Sequence, residues 1–160
     1  MDIGNYANTK ASRRTAWYMA LAGFIPFALF AGLLYRLGHT SSNFASFLDL
    51  FKLWSIVVLT FLAGIRWGFA LIAPPFDRRT MVLAGLVPLF AMLVMVMPDV
   101  YSIMLLLVLH CAHGAWDNFH INKGHVPPWL SSIRVTFTLA VAVAHICVVI
   151  LASGGISLHG

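Results

Sequence analysis

Long apolar stretches make up most of this chain, and polar residues are concentrated in the short segments between them. Five stretches are long enough to cross a bilayer as helices, because about 20 residues at a rise of about 1.5 Å each span its hydrocarbon core. They cover residues 15–35, 53–74, 80–97, 100–117 and 133–152. The pattern predicts an all-α, polytopic membrane protein with five transmembrane helices in one bundle (15–152), a polar N-terminal tail (1–14) and a short C-terminal tail (153–160).

Composition excludes an ordinary soluble domain. Apolar residues make up 61% of the 160 residues and charged residues only 9%, whereas soluble domains carry about 25% charged residues. A soluble fold of this size could not bury so much apolar surface, so the expected surroundings are a lipid bilayer. The net charge of +5 comes from Lys and Arg scattered over short segments, which argues against nucleic acid as a partner.

Basic residues at the ends of the spans predict the orientation. Seven lie on the side that holds the N-terminus, and only Arg36 and Lys52 lie on the other side. The seven are Lys10, Arg13, Arg14, Arg78, Arg79, Lys123 and Arg134. Since basic loops stay in the cytoplasm or matrix, we expect the N-terminus inside and the C-terminus outside. Residues 36–52 then form an external loop with a short amphipathic helix (Phe44, Phe47, Leu48, Phe51), and residues 118–132 form the largest internal loop.

The first and third spans share a short sequence. Leu-Ala-Gly-Phe-Ile-Pro at 21–26 is echoed by Leu-Ala-Gly-Leu-Val-Pro at 83–88, and Arg-Arg-Thr precedes each. Two explanations stay open: a parallel duplication of a helical hairpin plus one further helix, or chance in an apolar alphabet. In either case Pro26 and Pro88 should kink their helices, because each removes a backbone hydrogen bond.

Arg66 is the charged residue placed deepest in a predicted span. An arginine at a span's centre costs about 2.5–3.5 kcal/mol on insertion scales, and such residues usually face the bundle or pair. Asp117, near the same depth on the fourth span, is its expected partner, with His113 and Trp67 beside the pair. The alternatives are that Arg66 extends to the headgroups and that Asp117 lies in water.

Small residues near Arg66 predict close helix packing. Gly64 and Gly68 flank it at a spacing of four, which is typical of faces where two membrane helices approach closely. Gly23 and Gly85, which correspond in the two echoed segments, are predicted packing positions as well.

Histidines on the fourth and fifth spans raise the question of a metal or haem. His110, His113, Asp117 and His120 repeat at three, four and three residues and share one helix face, which suits a metal site, a proton relay or hydrogen bonds between helices. His110 and His145 match in depth, as a bis-histidine haem requires. We nevertheless predict no cofactor, because no second helix supplies a full ligand set. His110, His113 and His145 stay the metal candidates.

Three segments resemble the landmarks of a known membrane family. They are Leu-Ala-Gly-Phe-Ile-Pro-Phe (21–27), Gly-Ile-Arg-Trp-Gly-Phe-Ala-Leu (64–71) and Pro-Trp-Leu-x-x-Ile-Arg-x-x-x-Thr (128–138). They are similar to the domain of unknown function 3429 family, which includes mitochondrial transmembrane protein 69. The resemblance covers about residues 20–150, with Ala63 and Ile133 as departures. It implies a five-span protein of a bacterial or mitochondrial inner membrane and no particular activity.

Motifs of common enzymes are missing from the sequence, which has no nucleotide-binding loop, no His-Glu-x-x-His and no Cys-x-x-Cys. The leading hypothesis is therefore a non-enzymatic accessory, assembly or scaffold partner of other membrane proteins, or a homo-oligomer. The alternative is a small carrier or ligand-binding bundle for an anionic or quinone-like molecule, centred on Arg66. The third hypothesis is a haem or metal protein.

Overall fold

Five long helices form the described part of the chain, which covers residues 10–72, 77–121 and 129–154 of a computed structural model. They are α1 (Lys10–Leu37), α2 (Phe44–Ile72), α3 (Arg78–Leu93), α4 (Asp99–Ile121) and α5 (Trp129–Ala152), and a short 3-10 helix (Val94–Val96) follows α3. These residues contain no strand. All five helices are long and apolar enough to span a membrane, α3 together with the 3-10 helix that continues it to Val96, which confirms the predicted all-α class with five spans.

The helix ends differ from the prediction where amphipathic segments continue the spans. The predicted amphipathic helix of the 36–52 loop is not separate, because α2 already begins at Phe44. Phe44, Leu48 and Phe51 are buried at spacings of four and three, so they extend the buried face of α2 by two turns. The connection shrinks to residues 38–43, in which Gly38 adopts the left-handed conformation (φ 68°).

Three further helices, α1, α4 and α5, also extend beyond their predicted bounds. Helix α1 begins at Lys10, inside the predicted tail. Helices α4 and α5 both extend into the predicted 118–132 loop. Pro74 of the second predicted span, residues 122–128 of this loop, and residues 1–9 and 155–160 of the two tails lie outside the described residues.

Helix α2 occupies the centre of the bundle, because it packs against α1, α3 and α4, while α5 packs against α4 and α1. Contacts near the helix ends show the directions. The guanidinium of Arg13 at the start of α1 lies 5.9 Å from the ring centre of Trp129 at the start of α5. Lys52 in the first half of α2 bonds Asp99 at the start of α4. We call the end of the bundle where α1 and α5 begin the N-terminal face, and the opposite end the C-terminal face; which face is inside stays a prediction.

Apolar side chains fill two clusters between the helices. The larger joins α1, α2 and α5 through Phe27, Phe51 and Val141, and the smaller joins α2, α3 and α4 through Leu59, Ala91 and Leu106. Many other large apolar side chains point outwards. In water such exposure would be costly, but lipid tails solvate these groups as well as a protein core does.

The closest helix approach marked by a described glycine lies at Gly114 of α4. A Cβ atom there would clash with the hydroxyl oxygen of Thr138 on α5, so only glycine fits without movement. The four glycines predicted to mediate packing differ from this one. A Cβ at Gly23 would make an ordinary contact with Phe137 at 3.6 Å, and at Gly64, Gly68 and Gly85 it would meet no described residue of a neighbouring helix within 4 Å.

Packing at Gly64, Gly68 and Gly85 therefore stays a prediction, because none of the described helices supplies a close contact there. Pro26 and Pro88 lie inside α1 and α3, and the kinks predicted there stay predictions as well.

Replacing Gly114 with alanine should lower the free energy of unfolding by about 1–3 kcal/mol, the usual cost of overpacking. Adding Thr138→Ala should recover part of this loss, since it removes the two nearest clashing atoms. The control is Gly85→Ala, which should be neutral or stabilising because alanine is the better helix former. Thermal unfolding of the purified protein measures all three variants. Equal stability of the Gly114 and Gly85 variants would contradict the close approach.

Candidate functional site

Buried polar side chains lie at three depths between α2, α4 and α5. Helix α4 supplies residues to each depth, since its polar positions repeat at three, eight, three and four residues on one helix face. They are Asp99, Ser102, His110, His113 and Asp117, and all of them except Asp99 are buried. Helix α2 contributes Lys52, Ser55 and Arg66 to the same three depths, and all three are buried.

Nearest the N-terminal face lies a group that we call the arginine cluster: Arg66, His113, Asp117 and Arg134. The structure brings Arg66 and Asp117 together, with Nη1 and Oδ1 3.5 Å apart. Arg134 of α5 lies closer still, with Nη2 2.9 Å from Oδ2 of Asp117, and His113 Nδ1 lies 3.4 Å from the same oxygen. The predicted ion pair did not include Arg134, although Arg134 and Asp117 lie near the ends of α5 and α4 that follow each other in the chain.

Arg66 is turned into the bundle, and only 5% of the residue is exposed. Its Nη2 donates a hydrogen bond to the carbonyl oxygen of Trp116 at 3.0 Å, and its guanidinium carbon lies 4.8 Å from the centre of the Trp116 ring. This geometry combines charge pairing with a cation–π contact. It differs from the alternative in which Arg66 reaches the headgroups.

Trp67 was predicted to lie beside the ion pair, and it does not lie there. Trp67 is 44% exposed on the outer surface of α2, because it lies about 100° from Arg66 around the helix axis and this rotation carries it away from the bundle. The indole beside Arg66 belongs to Trp116, which lies next to Asp117 on α4.

Charge within the arginine cluster is unbalanced, since two guanidinium groups share one buried carboxylate. The exposed carboxylate of Asp77 also attracts Arg66, from outside the cluster. Hydrogen bonding is incomplete as well. In the described part of the chain Arg66 Nε and both ring nitrogens of His113 have no hydrogen-bond partner, and the contacts to Asp117 Oδ2 lack hydrogen-bond alignment. Buried charge without a full set of partners is unfavourable. The cluster is thus chemically suited to accept one further anionic group.

Midway through the bundle, Ser55 links two histidines. Its Oγ lies 3.0 Å from His110 Nε2 and 2.9 Å from His145 Nε2, and His145 Nδ1 lies 2.8 Å from the Val141 carbonyl oxygen. A carbonyl only accepts, so Nδ1 of a neutral His145 carries the proton and its Nε2 accepts from the Ser55 hydroxyl. His110 Nε2 must then donate to Ser55. One directed chain of hydrogen bonds joins α4, α2 and α5.

These positions separate the three histidines that the sequence offered as metal candidates. His110 and His145 lie together, with ring centres 5.3 Å apart, whereas His113 belongs to the arginine cluster. Ser55 occupies the point toward which both Nε2 atoms are directed, and Phe27 and Phe51 pack against the rings. As placed, the two histidines do not fit a haem as axial ligands. The described residues contain no group of three or more metal-binding side chains.

Toward the C-terminal face, Lys52 pairs with two carboxylates. Its Nζ lies 2.7 Å from Asp49 Oδ1 and 2.8 Å from Asp99 Oδ1. The lysine is buried, whereas the side chains of Asp49 and Asp99 are 60% and 52% exposed. The predicted external loop included Lys52, which lies instead within α2. The signal that this prediction missed is the spacing of Lys52, Ser55 and Arg66, which puts all three on the buried face of α2.

Comparison with known proteins gives one match. The model of a protein family described as "Protein of unknown function (DUF3429)" matches residues 12–150, which is most of the chain. The curated proteins and the solved structures give no match.

Replacing Ser55 with alanine should destabilise the bundle by about 2–4 kcal/mol, because it leaves two buried imidazole nitrogens without a partner and each costs about 1–3 kcal/mol. Ser102→Ala is the matched control. Ser102 is equally buried, but its hydroxyl bonds only the Asp99 carbonyl of the same helix, so its loss should cost about 1 kcal/mol or less. Thermal unfolding in detergent compares the two. If both variants lose the same stability, the Ser55 hydroxyl does not join the histidines.

Proposed function

This chain belongs to the DUF3429 family of proteins of unknown function, and we propose that it is a non-enzymatic membrane protein that binds an anionic group at the arginine cluster. Its five apolar helices indicate a multi-pass membrane protein. The inner membrane of a bacterium or a mitochondrion is part of the proposal, and so is a role as a ligand-binding bundle or small carrier centred on Arg66.

One observation supports this proposal above the others: the buried guanidinium of Arg66 and the partly buried guanidinium of Arg134 face a single buried carboxylate. Ionisable residues inside membrane proteins are rare, expensive and commonly mark the path or site of a ligand. A phosphate or carboxylate group would neutralise the excess charge and accept the hydrogen bonds that Arg66 and Arg134 can give in fork geometry. A quinone carbonyl would accept hydrogen bonds without supplying charge, so an anion suits the cluster better.

Arg66→Gln should abolish anion binding and leave the bundle folded, because Arg134 and Asp117 remain as a balanced pair. The measurement is the thermal unfolding midpoint in phosphatidylcholine nanodiscs with decanoate, with decanol of equal chain length, and with inorganic phosphate. Decanoate at about 100 times its dissociation constant should stabilise the wild type by about 2.7 kcal/mol, and decanol should not. Stabilisation by phosphate alone would point to a free anion rather than an anionic headgroup on an apolar tail.

Two further variants make this experiment decisive. Asp117→Asn removes the carboxylate that competes for the arginines, so it should increase the stabilisation by decanoate, and Arg36→Gln on the opposite face should change nothing. If Arg66→Gln does not fold, Asp117→Asn still shows whether decanoate binds at the arginine cluster. An equal response to decanoate in Asp117→Asn and in the wild type would rule out binding at this cluster.

The second candidate function is that of an accessory, assembly or scaffold partner of other membrane proteins. The observation that favours it is the outer surface of α2 around Gly64 and Gly68. A Cβ atom added at either glycine would meet no described residue of a neighbouring helix within 4 Å. Glycine costs about 1 kcal/mol inside a helix relative to alanine. Two of them at a spacing of four therefore suit close contact with a helix of another protein or of a second copy.

Replacing both Gly64 and Gly68 with leucine should dissociate such an assembly. The test is the size of the protein purified in mild detergent from native membranes at natural abundance, with Gly32→Leu as the control because Gly32 also meets open space. The assembly should be larger than the monomer in the wild type and in the control, and monomeric in the double variant. A monodisperse wild-type monomer without partners would count against this function.

A further inference from the structure

An open apolar groove runs between α1 and α5 on the outside of the bundle. It extends over about seven residues of each helix, or about 10 Å along the helix axes. The residues that form its walls are Trp17, Leu21 and Phe24 on α1 and Ile133, Phe137 and Ala140 on α5. Ala20 and Thr136 also line it, and the small alanines at positions 20 and 140 leave the space that makes it a groove.

Cationic groups and an unused donor surround the end of this groove at the N-terminal face. Arg13 lies one turn before Trp17, and its guanidinium is 5.9 Å from the ring centre of Trp129. The indole Nε1 of Trp129 is buried and has no hydrogen-bond partner in the part of the chain that the structure describes. Lys10 and Arg14 add positive charge in the same two turns of α1, and neither α1 nor α5 contains an acidic residue.

We propose that this groove is a specific site for an anionic phospholipid. One acyl chain lies in the groove between α1 and α5, and the phosphate lies at Arg13 and the Trp129 indole. The site is distinct from the arginine cluster, which lies between α2, α4 and α5, and the inference goes beyond the anion binding proposed there.

Charge and direction together identify the ligand as a lipid. The groove follows the helix axes, so it has the direction of an acyl chain in the bilayer, and its polar end lies where a headgroup lies. A basic end without acidic residues attracts anionic headgroups, and an indole at the membrane interface donates a hydrogen bond while its ring stays in the apolar region. A helix of another protein would use the apolar walls but would neither accept the Trp129 hydrogen bond nor complement the positive charge at this end of the groove.

The experiment titrates the intact purified protein with phosphatidylglycerol and with phosphatidylcholine of the same acyl chains, and counts bound lipids by native mass spectrometry. Phosphatidylglycerol should bind more tightly. Arg13→Gln should weaken its binding about fivefold, the effect of one basic residue near an anionic headgroup, and Arg36→Gln on the same helix should not. Trp129→Phe, which keeps an aromatic ring but removes the donor, should weaken it by about tenfold.

Filling the groove with larger side chains tests whether an acyl chain lies in it. Ala20→Phe with Ala140→Phe should weaken both lipids, whereas Ala22→Phe, at the same depth on an exposed face of α1, should weaken neither. If the double variant does not fold, the wild type answers the same question, since dihexanoyl phosphatidylglycerol should bind less tightly than the dioleoyl lipid.

Three results would overturn the proposal: equal affinity for the two headgroups, retention of the preference in both Arg13→Gln and Trp129→Phe, or full competition by glycerol phosphate without a chain. Arg66→Gln should leave lipid binding unchanged, so failure of anion binding at the arginine cluster and failure of this site are distinguishable.

Discussion

The interior of a bilayer offers no hydrogen bonds, and this constraint governs every polar position in the bundle. A buried polar group must find its partner inside the protein or remain unsatisfied at a cost of several kcal/mol. Apolar packing gives membrane helices little net preference for one another, because lipid tails are equally apolar. The specific arrangement of α2, α4 and α5 therefore depends on polar contacts: Ser55 joins the three helices at mid-depth, and Asp117 joins them again near the N-terminal face.

Close approach and polar pairing support each other between α4 and α5. Gly114 lies directly against Thr138, and it is three residues from Asp117 and four from His110 along α4. Because this glycine lets the backbones approach, the arginine of α5 reaches Asp117 on one side of the contact and His145 reaches the Ser55 hydroxyl on the other. A larger side chain at this point would separate both pairs, so one small residue positions two polar groups at different depths.

Depth along a helix could be predicted from the sequence, whereas direction around the helix could be predicted only in part. Span lengths gave the five helices, and the depths of Arg66 and Asp117 brought them correctly to one level. The error at Trp67 arose because neighbours in sequence were assumed to be neighbours in space, although about 100° separates them around the axis. Ser55 and Arg134 were missed because a partner on a third helix leaves no trace in the local pattern. Phe44 was predicted in a loop helix because a lysine such as Lys52 usually ends a membrane segment, yet this lysine is neutralised within the bundle.

Lys52 and the arginine cluster offer an internal comparison of how one chain treats buried positive charge. At Lys52 one ammonium group meets two carboxylates, which are half-exposed and so remain well hydrated. At Arg66 and Arg134 the proportion is reversed, since two guanidinium groups meet one carboxylate that is buried with them. If Arg66 and Arg134 served only to join helices, a second acidic residue or an apolar pair would give a more stable bundle. The chain places two carboxylates at Lys52, whereas at the arginine cluster the further carboxylate that attracts Arg66, that of Asp77, is exposed just before α3 and is not part of the buried group. This contrast is the physical reason to regard the arginine cluster as a place for an anion from outside the chain.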